Sequence, residues 1–257
     1  MKNKILLGLT VASLAGFASS FALANPTSIS LGNGAGTTNG GEFDAKLISG
    51  TVTPFQAASV LAGTASGTSF VTFCLEKNEY FNSYSQTLYV KGAPNTDAIY
   101  GGVGAAAMYS GDVAGTTSVN DPISFKTAYL YTKFSAGTLS NYNYSDAGRV
   151  ADANDLQNAF WYLENELGAE TANNSLFNSL STQTKAWITE ATNANWTSIG
   201  NVRVLNLYTG TDFTYAQRSQ DQLYMTAPVP EPETYAMMLA GLGLIGFLAK
   251  RRRRKLM

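Results

Sequence analysis

The first half of the chain is built of short runs rich in Phe, Val, Thr and Tyr, and the second half switches to apolar residues spaced three and four apart. Phe43 to Val52, Ser69 to Leu75 and Gln86 to Val90 have strand character. The Gly/Ala/Thr/Ser clusters between them, Ala62 to Ser69 and Gly111 to Ser118, share no fixed period and read as turns. Ser124 to Phe134 carries Phe125, Ala128, Tyr129 and Tyr131 at helical spacing. In Asp152 to Leu167, residues Leu156, Ala159, Phe160, Leu163 and Leu167 make one apolar face; Asp152 or Asn154 is placed to cap its start and Gly168 its end. Ser175 to Thr192 predicts a third helix with Leu176, Leu180, Trp187 and Ile188 on one side. Strand character returns at Asn201 to Tyr208 and Phe213 to Met225. The order sheet, helices, sheet predicts an α+β domain over 42–226, an antiparallel barrel-like core with about three helices inserted between its N- and C-terminal strands. The Gly, Asn, Thr and Ser of residues 25–41 predict an exposed, flexible arm before it.

Both ends carry apolar runs of another kind. Lys2 and Lys4, then Ile5 to Phe21, then Ala22-Leu23-Ala24 give the layout of a secretory signal peptide over 1–24, with Asn25 the first mature residue. At the other end, within 227–257, Val229-Pro230-Glu231-Pro232-Glu233 precedes an apolar run over 234–249 and a basic stretch over 250–255. The sixteen residues of that run give a helix of roughly 24 Å, enough for a thin or compressed bilayer. Lys250, Arg251, Arg252, Arg253, Arg254 and Lys255 keep its end on the cytoplasmic side. Pro230 and Pro232 prevent the helix from continuing backwards, so the preceding tripeptide stays extended and open to a processing enzyme.

Pro230, Glu231 and Pro232, the apolar run with Gly241, Gly243 and Gly246, and Arg251 to Arg254 together resemble the PEP-CTERM sorting signal. That resemblance implies recognition by an exosortase, a membrane-embedded cysteine transpeptidase-like enzyme, in a Gram-negative bacterium that makes exopolysaccharide. The expected partners are thus the secretion translocon and signal peptidase, the inner membrane before processing, and the exosortase; the destination is the cell surface or extracellular matrix.

The charge balance changes meaning once the ends are set aside. The whole chain has 17 Lys+Arg against 18 Asp+Glu, a net of -1, but Asn25 to Val229 alone carries a net of -7. An acidic body does not seek nucleic acid phosphates or anionic lipid. With no His in the chain, the commonest metal ligand and the usual general base of Ser and Cys hydrolases are missing, so no cofactor or metal and no enzymatic activity is expected. A carboxylate enzyme would need Glu76 with Glu79, or Glu164 with Glu166, converging in a pocket; these positions read as a solvated strand end and helix face.

Cys74 is the one cysteine of a chain marked for export, where cysteines usually pair. A lone thiol there is buried and inert, intermolecular, or committed to other chemistry. Phe73-Cys74 and the later Leu156-Gln157-Asn158-Ala159-Phe160-Trp161 resemble the thioester domains of bacterial surface adhesins, in which a cysteine after an aromatic residue joins the glutamine of a Thr-Gln-x-Ala-Ile-Trp motif. Gln157, Ala159 and Trp161 match; Leu156 stands in place of Thr and Phe160 in place of Ile. The resemblance implies an internal Cys74–Gln157 thioester aimed at an amine-bearing surface, and thus an adhesin. The other reading is a noncovalent structural or exopolysaccharide-binding matrix protein in which Cys74 is a small buried hydrophobe.

Overall fold

The computed structural model describes residues 27–37, 40–50, 69–77, 79–80, 84–92, 95–99, 120–145, 147–167, 175–226, 241–242 and 245. In chain order the elements are β1 (Ser28–Thr37), β2 (Gly40–Ser49), β3 (Ser69–Thr72), β4 (Thr87–Val90), β5 (Asp97–Ile99), β6 (Asn120–Pro122), α1 (Phe125–Ser135), α2 (Arg149–Leu163), α3 (Ser175–Ser179), α4 (Thr182–Asn193), β7 (Val202–Tyr208) and β8 (Arg218–Met225). The protein is α+β, with four helices between its early and late strands among the described residues.

Six strands form one antiparallel sheet in the order β3-β2-β1-β4-β7-β8. Its two edges, β3 and β8, meet again just past the end of β3. Leu75 N donates to Asp221 O at 3.0 Å, Leu223 N donates to Phe73 O at 3.0 Å, and Cys74 bridges Gln222. The sheet therefore nearly closes on itself, which removes most of the unpaired edge an open sheet would expose. Tyr131 of α1 holds the seam from outside, its hydroxyl reaching Val71 O at 2.7 Å and Leu223 O at 3.1 Å.

Side-chain alternation along the strands sorts the apolar residues into two cores. Ile29, Leu31, Phe43, Ala45, Phe70, Cys74, Leu88, Val90, Leu205, Leu207 and Tyr224 pack inside the curved sheet, with Trp161 of α2. The opposite face of β3, β7 and β8 (Val71, Phe73, Val202, Val204, Leu223) packs against Leu130, Tyr131 and Phe134 of α1, Leu156 and Phe160 of α2, and Trp187 and Ile188 of α4. Phe73 anchors this layer, edge-on to Phe134 at 5.0 Å and to Phe160 at 5.1 Å between ring centroids. Such edge-to-face pairs add to area burial.

Several boundaries differ from the sequence expectation. Within the arm expected over 25–41, Ser28–Thr37 is not free: it is β1, paired with both β2 and β4. Helix α2 begins at Arg149, after an N-cap Gly148, and ends at Leu163. Asp152 is engaged instead by Asn143 N at 2.7 Å, and Asn154 by Thr37 N at 3.0 Å. The chain leaves the helix through Asn165 in a left-handed conformation (φ 62°), a place Asn tolerates without a glycine. Gly168 lies outside the described residues. The third helix is divided: Ser181 caps a new start by accepting from Thr184 N at 3.0 Å, giving α3 and α4. The small β5–β6 hairpin was not foreseen; three-residue strands carry too little pattern to register. The signal peptide lies outside the described residues, as does all but 241–242 and 245 of the C-terminal signal. Among the described residues no helix is long and apolar enough to cross a membrane, and the span expected over 234–249 falls largely beyond them.

Candidate functional site: the Cys74–Gln157 seam

The fold brings together the two residues that the sequence motif pairs. Past Thr72, strand β3 loses its neighbour β2, leaving the main-chain N–H and C=O of Cys74 without a ladder partner on that side. Gln157, at the middle of α2 and 1% exposed, supplies both: its Oε1 accepts from Cys74 N at 3.0 Å and its Nε2 donates to Cys74 O at 2.8 Å. A side-chain carboxamide has the donor and acceptor of one peptide unit, so Gln157 acts as a single residue of the strand that is missing.

The docking needs space beside β2, and Gly40 provides it. A Cβ there would lie 2.7 Å from Gln157 Cγ and 2.9 Å from the Trp161 ring, and the backbone at Gly40 has φ 129°, which only glycine adopts freely. Trp161, 7% exposed, is packed in the inner core beside it. The positions matching the motif thus have separate duties: Gln157 pairs with Cys74, Ala159 (0% exposed) fills the tight helix-facing core, and Trp161 closes the inner side. Leu156 and Phe160, the two departures, are both fully buried in the outer core.

The Cys74 thiol points away from this clamp into the sheet. Sγ donates to Gln220 Oε1 at 2.8 Å and accepts from Gln222 Nε2 at 3.3 Å. Thr72 Oγ1 contacts Gln222 Oε1 at 3.3 Å and donates to Leu223 O at 2.5 Å, and Gln220 Nε2 donates to Glu76 O at 2.6 Å. Thr72, Cys74, Gln220 and Gln222 form a fully buried polar patch on the β3–β8 seam. Burial pushes the thiol far above its ordinary range, and the Glu76 carboxyl adds to the effect against the Gln222 hydrogen bond. Such a thiol is not a free nucleophile toward bulk reagents.

The carboxylates named from the sequence are placed contrary to expectation. Glu76, Glu79, Glu164 and Glu166 are not solvated; all are buried, and Asp221 joins them. Glu76, Glu164, Glu166 and Asp121 line one small cavity with Leu75, Ala98 and Ile123. Four of these carboxylates are pinned by main-chain amides: Glu76 by Asp221 N, Asp221 by Leu207 N, Glu166 by Lys77 N, Glu164 by Ser124 N. Arg218 pairs with Glu79. Burial raises Glu76, Asp221 and Glu164, and raises Glu166 to about 8; neighbouring carboxylates add to the rise for Glu76, Asp221 and Glu166. Sequence reasoning missed this because the unpredicted β5–β6 strand pair supplies part of the cavity lining, through Ala98 and Asp121. Among the described residues no three of these groups are arranged to hold a metal ion.

A second buried charge lies on β2. Glu42 pairs with Arg149 of α2 at 2.6 Å and accepts from the Tyr142 hydroxyl, whose ionisation burial strongly disfavours. Together with Asn154 on Thr37, this ties α2 across the β1–β2 hairpin and fixes where Gln157 arrives.

The geometry of the folded body does not say where the chain goes; its tail does. Residues 228–254 match the family model of the PEP-CTERM protein-sorting motif. The chain carries a PEP-CTERM sorting signal. It is thus an exported protein targeted to an exosortase, and Pro230, Glu231, Pro232, Arg251, Arg252, Arg253 and Arg254 all lie within the matched residues. No curated protein and no solved structure matches the chain.

Proposed function

We propose that this PEP-CTERM protein is a surface or matrix adhesin in which Cys74 and Gln157 form an internal thioester. The observation that carries the reading is the Gln157 carboxamide clamped across Cys74 by two hydrogen bonds, from a residue 83 positions later in the chain. The clamp holds the carboxamide against the cysteine main chain, while the thiol is bonded to Gln220 and Gln222 and must leave them to reach it. In the bond-forming step Sγ adds to the Gln157 carbonyl carbon, the C–N bond breaks, and Nε2 leaves as ammonia with the thiol proton. Proximity in a dry site supplies the drive that a histidine base supplies elsewhere. A primary amine on a partner surface then attacks the same carbon, forming an amide and returning a proton to the Cys74 sulfur.

The second reading is a noncovalent structural or exopolysaccharide-binding matrix protein in which Gln157 is only a strand surrogate. It is favoured by one observation: the thiol's hydrogen bonds go to Gln220 and Gln222. Incubation of the purified protein with methylamine separates the two. Incorporation of one methylamine at Gln157, lost in Cys74→Ala, supports the adhesin; no incorporation under native or mildly denaturing conditions supports the noncovalent protein.

A further inference from the structure

The Cys74–Gln157 pair is covered by the seam that closes the sheet, and the seam contains two buried carboxyl groups, Glu76 and Asp221, the first of which is bonded to the main-chain amide of the second. Glu76 and Asp221 are each 2% exposed. Glu76 Oε2 accepts from Asp221 N at 3.0 Å and Asp221 Oδ1 from Leu207 N at 2.9 Å, while Glu76 Oε1 and Asp221 Oδ2 have no hydrogen-bond partner among the described residues. Two adjacent ionised carboxylates in this position would be buried like charges, a state that is far less stable than one in which protons are retained.

The surroundings offer little countercharge. From the segment after β3 comes Glu79, from the end of α2 come Glu164 and Glu166, and from β6 comes Asp121. From β5 come Ala98 at the cavity and the Ile99 amide at Asp221. The cation of β8, Arg218, is held by Glu79, and Lys77 contributes only its main-chain amide, to Glu166. Cys74 itself is two residues from Glu76. Retained protons would neutralise such a cluster without any further ligand.

We propose that Glu76 and Asp221 form a proton-held latch on the β3–β8 seam, closed while the pair retains protons and released on the alkaline side, and that its release uncovers Cys74. The same two residues belong to the ladder over the thiol: Leu75 N bonds Asp221 O, and Gln220, the thiol's partner, bonds Glu76 O. The latch is independent of whether the thioester forms; its role as a gate to acyl transfer rests on that reading.

The sign follows from linkage. A carboxyl whose folded pKa lies above its unfolded value stabilises the fold fully below the ordinary carboxylate range, and that contribution is lost as pH rises through the folded value. Glu76 and Asp221 are both raised, and burial raises their neighbour Glu166 to about 8. The opening is therefore expected as pH rises above the ordinary carboxylate range.

Thermal unfolding of the full-length protein between pH 5 and 9 tests this. The wild type is expected to lose about 5–10 °C in Tm from pH 6 to pH 9, and Asp221→Asn or Glu76→Gln to flatten that slope and melt higher than wild type at pH 9. Should both variants fail to fold, amide exchange of the wild type at Leu75 and Leu223, corrected for intrinsic rates, gives the answer: protection at these two amides falls selectively above pH 7. A flat wild-type profile, or equal protection at both pH values, overturns the latch. So does a rise in wild-type Tm at pH 8 on adding calcium that Asp221→Asn abolishes, which would make the cluster a cation site. Loss of the latch with methylamine incorporation intact removes the gate and leaves the adhesin; the reverse result removes the adhesin and leaves the latch.

Discussion

Gln157 replaces a strand residue for Cys74, its carboxamide bonding both the N–H and the C=O of a cysteine where the neighbouring strand has departed. The contact joins α2 to the seam of a nearly closed sheet, so it is structural whatever chemistry follows. Truncation should show this directly. Gln157→Leu leaves two buried main-chain groups unpaired and is expected to destabilise the fold by about 2–4 kcal/mol in urea unfolding. Gln157→Glu keeps the shape but loses the donor when ionised, so its stability should recover as pH falls and the introduced carboxyl gains a proton.

Gly40 is the counterpart on β2. Gly40→Ala places a methyl 2.7 Å from Gln157 Cγ at a backbone angle unsuited to L-residues. A loss of about 2–4 kcal/mol is expected. In combination with Gln157→Ala, which removes the Cγ contact while the Trp161 ring contact and the backbone strain stay, the two losses should be less than additive; full additivity in a double-mutant cycle would deny the contact.

The buried Glu42–Arg149 pair should behave as buried charges do. Arg149→Met strands Glu42, whose side chain is fully buried, and is expected to cost about 2–4 kcal/mol, less than the extreme because Arg149 is partly exposed. Adding Glu42→Gln should restore a large share of that loss, measured by the same denaturant titration.

The sorting signal predicts a cellular phenotype. Replacing Pro230, Glu231 and Pro232 by Ala should leave the chain uncleaved and in the inner-membrane fraction of a host with an exosortase, detected by fractionation and C-terminal mass mapping. Deleting Arg251 to Arg254 should weaken retention at the processing step as well, since the basic stop holds the span's end in the cytoplasm.

What the sequence made legible follows where its pattern was strong. Helix α2 was visible because Leu156, Ala159, Phe160 and Leu163 hold one face at three-and-four spacing, and the pairing of Gln157 with Cys74 followed from a motif carried on that helix. The sheet was read from β-branched and aromatic runs. The burial of Glu76, Glu79, Glu164 and Glu166 was not legible: charge at a strand end or helix end normally means solvent, and what covers these groups includes a hairpin of three-residue strands. The role of residues 28–37 was hidden for a similar reason. Gly32, Gly34 and Gly36 read as turn chemistry, yet they lie in a strand that packs close to β2, where a Cβ at Gly34 would meet Glu42 O at 2.6 Å. The direction of the thiol was equally out of reach, because Gln220 and Gln222 approach Cys74 only when the sheet closes.

Intact mass of the purified protein, compared with Cys74→Ala, tests the central claim most directly. A deficit of about 17 Da in the wild type that the variant lacks, after allowance for the substitution itself, is the loss of ammonia that thioester formation requires. The full theoretical mass in freshly folded wild-type protein, with one thiol titratable after denaturation, would contradict the account and leave Gln157 as a strand surrogate alone.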